Sequence, residues 1–168
     1  EQLYEIVVRI FGREKIYGIE EPSYRQIEGA YTAMGAKTCR LPLAANGISS
    51  EALRRADFDI LHVTPFHSYP TGITTPIGKR IEYLRLAEEK NSYIIEDDFD
   101  SEFFLPGQPL ETLYALDARK CVVYINFEKS VSVDARGVYD PARDASCRVR
   151  GETGGDVLFR SRDGPVHT

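Results

Sequence analysis

The sequence predicts an α/β fold, with a mostly parallel sheet flanked by helices, and two observations carry that reading. Short strand-like runs alternate with stretches of helical period from the first residues to about residue 130. The run Tyr93-Ile94-Ile95, led in by Asn91-Ser92 and preceded by a long helical pattern, has the form of a buried parallel strand reached through a crossover. At 168 residues, with 42% hydrophobic content, the chain is long enough for one domain with its own core.

The elements follow in order. Leu3, Ile6, Val7, Ile10 and Phe11 recur at helical spacing and predict an opening helix that ends near Gly12. Ile16 to Ile19 reads as a short strand stopped by Glu20-Glu21-Pro22, because proline donates no ladder hydrogen bond and restricts the residue before it. Ser23 is placed to cap the next helix, with Ile27, Ala30, Tyr31 and Met34 as its buried stripe and Gly35 as its left-handed stop. Lys37 to Leu43 is the second strand, Ser49-Ser50 cap a short helix through Arg55, and Asp59 to Thr64 is the third strand. Pro65 to Thr75, rich in Pro, Gly, Ser and Thr, is a loop at the end of that strand. Pro76 opens a long helix, with Ile77, Ile81, Leu84 and Ala87 on its buried side and Lys79, Arg80, Glu88, Glu89 and Lys90 on its wet side. After the Tyr93 strand, Leu110, Leu113 and Tyr114 predict a short helix, and Cys121 to Ile125 a fifth strand.

Composition removes several function classes. A formal charge of −5 gives no basic footprint for nucleic acid, and no apolar run is long enough to span a bilayer. Cys39, Cys121 and Cys147 are far apart, odd in number and without a CxxC pair, so neither a disulfide framework nor a zinc site is expected, and the compartment reads as cytoplasmic. His62 and His67 lack a third ligand and read as structural.

Chemistry is expected where the Tyr93 strand runs into Glu96, Asp97, Asp98 and Asp100, since ligands of such sheets sit beyond the carboxyl ends of the strands. A solvated acidic loop is the plain alternative. A divalent metal held by the four acids is another, although no glycine-rich phosphate loop accompanies them. Lys129, after the fifth strand, comes to the same edge as Asp97. A lysine there can form a Schiff base with an aldehyde, while a carboxylate opposite holds a pyridine nitrogen protonated, which is pyridoxal phosphate chemistry.

Four stretches make the comparison more specific: Glu20-Glu21-Pro22-Ser23-Tyr24, Thr64 through Gly72, Ile94 through Phe103, and Asn126-Phe127-Glu128-Lys129-Ser130. In order and spacing they resemble fold-type I aminotransferases. They resemble most the MocR-type branch, in which an aminotransferase-like domain follows a GntR-type winged-helix domain in a transcriptional regulator. The resemblance covers residues 1 to about 133. It implies pyridoxal 5'-phosphate as cofactor, Lys129 as the lysine joined to it, Asp97 as the partner of its ring nitrogen and Tyr24 as a ring stacked on it. Tyr69 stands where many aminotransferases place an asparagine near the phenolic oxygen. Phe99 stands where the branch has a tyrosine for that oxygen and cannot make the bond, Asn126 takes the place of a phosphate-binding hydroxyl, and Glu128 replaces a serine beside the lysine. The implied partners are a small-molecule amine or amino acid, DNA only through a winged-helix domain that is not in this chain, and a second subunit in a homodimer; no membrane is implied. A working aminotransferase passing amino groups between amino and keto acids is the enzyme alternative. The resemblance also places a Gly-Thr phosphate loop just before Glu1 and a small C-terminal domain after the lysine, and neither is legible here, so turnover by this chain is not expected.

Composition breaks after Ser130: residues 131–168 contain no Ile or Lys, one Leu and six Arg, whereas residues 1–130 contain thirteen Ile and all six Lys. No helix or strand period is visible there, so residues 1–133 are expected to form a partial aminotransferase large domain and residues 134–168 an irregular tail. Codons permitted for Asp134 to Asp144, read one nucleotide later, spell MRVGYMILPET, close to what the family carries after its lysine. The tail is therefore expected to be an out-of-frame translation, in which Arg136 is not the family's arginine.

Overall fold

A computed structural model of the chain describes residues 2–98, 111–116, 122–126, 148–150 and 156–158. The alternation read from the sequence appears as α1 (Gln2–Phe11), β1 (Ile16–Glu21), α2 (Arg25–Ala33), β2 (Lys37–Ala44), β3 (Gly47–Ile48), α3 (Ser50–Arg55), β4 (Ile60–Val63), α4 (Ile77–Lys90), β5 (Tyr93–Asp98), α5 (Leu113–Leu116), β6 (Val122–Asn126), β7 (Arg148–Arg150) and β8 (Asp156–Leu158). These strands form one sheet in the order β3-β2-β1-β4-β5-β6-β8-β7. The five central strands β2, β1, β4, β5 and β6 are parallel, and antiparallel strands lie at both ends.

Because successive strand residues face opposite sides, the sheet divides its apolar residues between two cores. Tyr17, Ile19, Ile60 and Ile95 meet Leu3, Tyr4, Val7 and Val8 of α1 and Ile27 and Tyr31 of α2. Leu41, Leu61, Val63 and Ile94 meet Leu53 of α3, Tyr83, Leu84, Leu86 and Ala87 of α4 and Leu113 of α5. The polar residues that continue β4 and β5 obey the same alternation, which decides where the acids point.

Several helix ends match their residues. Ser49 Oγ accepts from the Ala52 N–H, and Gly35, at φ 79°, takes the left-handed position after α2. Ser23 does not cap α2. The helix starts at Arg25 with Tyr24 at the cap position and no side-chain cap bond, which leaves Ser23 one residue too early to reach the free N–H groups.

The buried face of α4 also differs from the pattern in the sequence. Leu84 and Ala87 are buried as expected, but Ile77 and Ile81 are 43% and 53% exposed, and Lys79 and Arg80 lie inside with Tyr83 and Leu86. Hydrogen bonding accounts for the reversal, because a charge can be buried when its N–H groups find acceptors. Lys79 Nζ reaches Ser50 Oγ at 2.7 Å and Glu82 Oε2 at 2.8 Å, and Arg80 binds three carbonyls.

The two-residue strand β3, not evident in the sequence, pairs with the end of β2. Gly47 has φ +122°, and a Cβ there would collide with the Tyr83 hydroxyl. That hydroxyl accepts the Ile48 N–H at 2.7 Å. Tyr83→Phe is expected to leave this buried N–H unpaired and to lower stability by about 1–3 kcal/mol, measured as a shift in the urea midpoint with an unchanged slope.

Within residues 134–168, expected to form an irregular tail, the described residues are the two three-residue strands β7 and β8. β8 runs antiparallel to β6, which pairs the sheet edge beyond β6. Strands this short leave too few alternations for a period to be recognised.

Candidate active site at the carboxyl edge of the sheet

Parallel strands bring their carboxyl ends to one edge, and here β1 ends at Glu21, β4 at Val63, β5 at Asp98 and β6 at Asn126. The acidic run is not a solvated loop. Glu96, Asp97 and Asp98 belong to β5 and are buried, so they face alternate sides of a covered strand instead of forming one cluster. Among the described residues no group of three His, Cys, Asp or Glu side chains could hold a metal ion; Asp100 lies outside them.

Asp97 lies on the side of Ile95, under α1 and α2. The Tyr4 hydroxyl donates to its Oδ2 at 2.7 Å, and His62 Nε2 lies 3.3 Å from the same oxygen. Tyr31 bonds His62 Nδ1 from behind. Oδ1 of Asp97 is buried and has no hydrogen-bond partner among the described residues. Burial and the neighbouring Asp97 charge push the Tyr4 and Tyr31 hydroxyls far above the usual range, so both keep their protons.

Glu96 lies on the other side and has a structural task. Its two oxygens accept the Leu113 N–H at 2.8 Å and the Tyr114 N–H at 3.0 Å, which seats the start of α5 on the sheet. Glu20, at the end of β1, accepts from Ser68 Oγ at 2.6 Å and from the Thr64 N–H at 3.3 Å, and so ties the loop after β4 to the sheet edge. That loop carries Tyr69, whose ring meets the Tyr24 ring edge-on at 6.0 Å between centroids. Tyr24 is 43% and Tyr69 66% exposed, so both present aromatic surface at the edge.

Burial pushes Glu20 and Glu96 up to about 7, although their hydrogen bonds pull the other way. From an ordinary value of 4.5, the folded chain holds protons that the unfolded chain releases. Their contribution is therefore intact below pH about 4.5 and is lost as pH rises toward about 7. Each group accounts for up to roughly 3 kcal/mol. Urea unfolding followed from pH 5 to 8 is expected to show falling stability, with a shallower slope in Glu20→Gln.

Of the residues expected to form the site, Asp97, Tyr24 and Tyr69 are at this edge. Asn126 lies opposite Asp98 in the β5–β6 register, with only its backbone described. Lys129 and Phe99 lie outside the described residues. The sequence reading missed Tyr4, took Tyr31 for packing alone, and set His62 aside as structural. A signal was present for His62: it shares the parity of Ile60 in an apolar strand, which aims it at the layer that Asp97 also faces.

No family model matches the chain. Its sequence is 32% identical over 138 residues to the HTH-type transcriptional regulator YdeL of Bacillus subtilis, a match that takes in 82% of this chain and 30% of YdeL. It is 32% identical over 107 residues to the "Probable rhizopine catabolism regulatory protein MocR" of Rhizobium meliloti, across 64% of this chain and 22% of that protein. Its fold matches LysN, the α-aminoadipate aminotransferase of Thermus thermophilus, solved with N-(5'-phosphopyridoxyl)-L-leucine, with a TM-score of 0.70 and 22% identity over 96% of this chain and 39% of LysN. Sequence kinship with helix-turn-helix regulators is joined here to the fold of an aminotransferase. The chain belongs to the aminotransferase-like domain of MocR-type regulators. It spans under a third of the length of the regulators it matches. No helix among its described residues is long and apolar enough to cross a membrane.

Proposed function

We propose that this chain is part of the effector-sensing region of a cytoplasmic MocR-type transcriptional regulator, and that it binds pyridoxal 5'-phosphate at the carboxyl edge of the sheet with Asp97 facing the ring nitrogen. The observation that carries this reading is the buried, unpartnered Oδ1 of Asp97. A buried acceptor without a donor is costly, and a protonated ring nitrogen supplies both the missing donor and the opposite charge. The residues present therefore fit the group.

Bound there, the cofactor supplies an electron sink for chemistry at the carbon of an amine. Asp97 holds a proton on the ring nitrogen, and Tyr24, beside Tyr69, offers a ring face for stacking. Lys129 provides the amine that joins the cofactor covalently, Asn126 a phosphate contact and Tyr69 a group near the phenolic oxygen; Phe99 has no hydroxyl to add. The effector is a small amine or amino acid, DNA is contacted through a winged-helix domain outside these residues, and the working form is a homodimer. The kinship with regulators places this reading ahead of a free-standing aminotransferase.

Titration with pyridoxal 5'-phosphate is expected to give an absorbance change that saturates at one cofactor per chain and responds to added amines. Unsaturable labelling, the same in folded and denatured chain, would remove the proposal. We also propose that residues 134–168 are an out-of-frame translation that breaks off a partial aminotransferase large domain, residues 1–133. Sequencing the coding DNA across codons 125–140 is expected to show a one-nucleotide change there, and an intact frame would contradict it.

A further inference from the structure

We infer that Tyr4 and His62, with Tyr31 behind them, are positioning residues that occupy one oxygen of Asp97 so that the other is left free and aimed at a ligand cation. This rests on the function proposed above but names residues that neither the four motifs nor that reading includes. The geometry is one-sided. Tyr4 at 2.7 Å and His62 at 3.3 Å both address Oδ2, from α1 and from β4, while Oδ1 is buried and has no partner among the described residues. A carboxylate rotates about one bond, so two donors fixed on different elements on one oxygen determine where the second oxygen points.

Tyr31 adds the control of tautomer. It is fully buried between the Tyr17 ring, stacked at 4.5 Å, and His62. The carboxylate oxygen of Asp97 that faces Nε2 of His62 accepts, so Nε2 is assigned the ring hydrogen. Nδ1 is then left to accept from the Tyr31 hydroxyl. The order of donation runs from Tyr31 to His62 to Asp97, with Tyr4 joining from the other side.

Two readouts test this. The chain has three histidines, so nitrogen-15 spectra of labelled histidine, assigned with His62→Gln, report the His62 tautomer without any ligand. The expected result is a bare Nδ1 and a protonated Nε2, becoming a mixture in Tyr31→Phe. In titrations of the full 168-residue chain with pyridoxal 5'-phosphate, Tyr4→Phe and His62→Leu are each expected to weaken binding about tenfold. His62→Gln, whose amide still donates to Asp97, is expected to stay within about threefold of the wild type. An Nδ1-protonated His62, or Tyr4→Phe and His62→Leu chains that are folded yet bind within about twofold of wild type, would overturn the inference alone. A wild-type chain that binds no cofactor would overturn the proposed function and this inference with it.

Discussion

Asp97→Ala is expected to weaken the binding of pyridoxal 5'-phosphate by about 100-fold or more. Removing one member of a buried, hydrogen-bonded charge pair costs about 2–5 kcal/mol, much of it from the charge left without a partner. Asp97 is 4% exposed, so water has little access to replace it. Asp97→Asn keeps the shape and a carbonyl oxygen but not the charge, and is expected to fall between alanine and wild type. Truncation also leaves Tyr4 and His62 without their acceptor. Affinity is therefore measured together with circular dichroism, and a folded Asp97→Ala chain with near wild-type affinity would separate Asp97 from the cofactor.

Arg80→Met is expected to lower folding stability by about 3–5 kcal/mol, the largest effect outside the site. The guanidinium is fully buried, and it donates to the carbonyls of Thr75 at 2.7 Å, Glu111 at 2.6 Å and Pro65 at 3.3 Å. It also stacks on Phe66 at 4.1 Å and offsets the buried charge of Glu96. One side chain thus joins α4, both ends of the loop after β4 and the approach to α5. Methionine fills the volume and takes the guanidinium from the Thr75 and Glu111 carbonyls, while Pro65 O keeps the Thr75 N–H at 2.9 Å. Arg80→Lys is expected to recover little, because an ammonium cannot fork to three acceptors in these directions. A loss below about 1 kcal/mol in urea unfolding would show that water satisfies those carbonyls.

The parallel core and its carboxyl edge were legible because period and turn chemistry are local. Apolar runs, Gly35, Ser49 and the Pro65–Thr75 loop each indicate their own place in the chain. The inner face of α4 was not, since Lys79 and Arg80 are buried with acceptors contributed by Ser50, Glu82, Thr75, Pro65 and Glu111. Of these, Ser50, Pro65 and Glu111 are remote in sequence and leave no periodic trace. The same holds at the site. Asp97 stood out as an acid at a strand end, but Tyr4 lies 93 residues away and Tyr31 and His62 are 31 residues apart, so only the register of β4 on β5 and the seating of α1 reveal their convergence. Parity could have assigned Glu96 and Asp97 to opposite layers had the strand been extended through the acids instead of ended before them.

Reduction of the cofactor onto the chain tests the central claim most directly. The wild-type chain is equilibrated with pyridoxal 5'-phosphate, treated with borohydride and digested, and the modified lysine is found by mass spectrometry. Modification concentrated on Lys129, and lost together with saturable binding in Asp97→Ala, is the predicted result. Label spread over surface lysines such as Lys15 and Lys37, unchanged in Asp97→Ala and with none on Lys129, would contradict it.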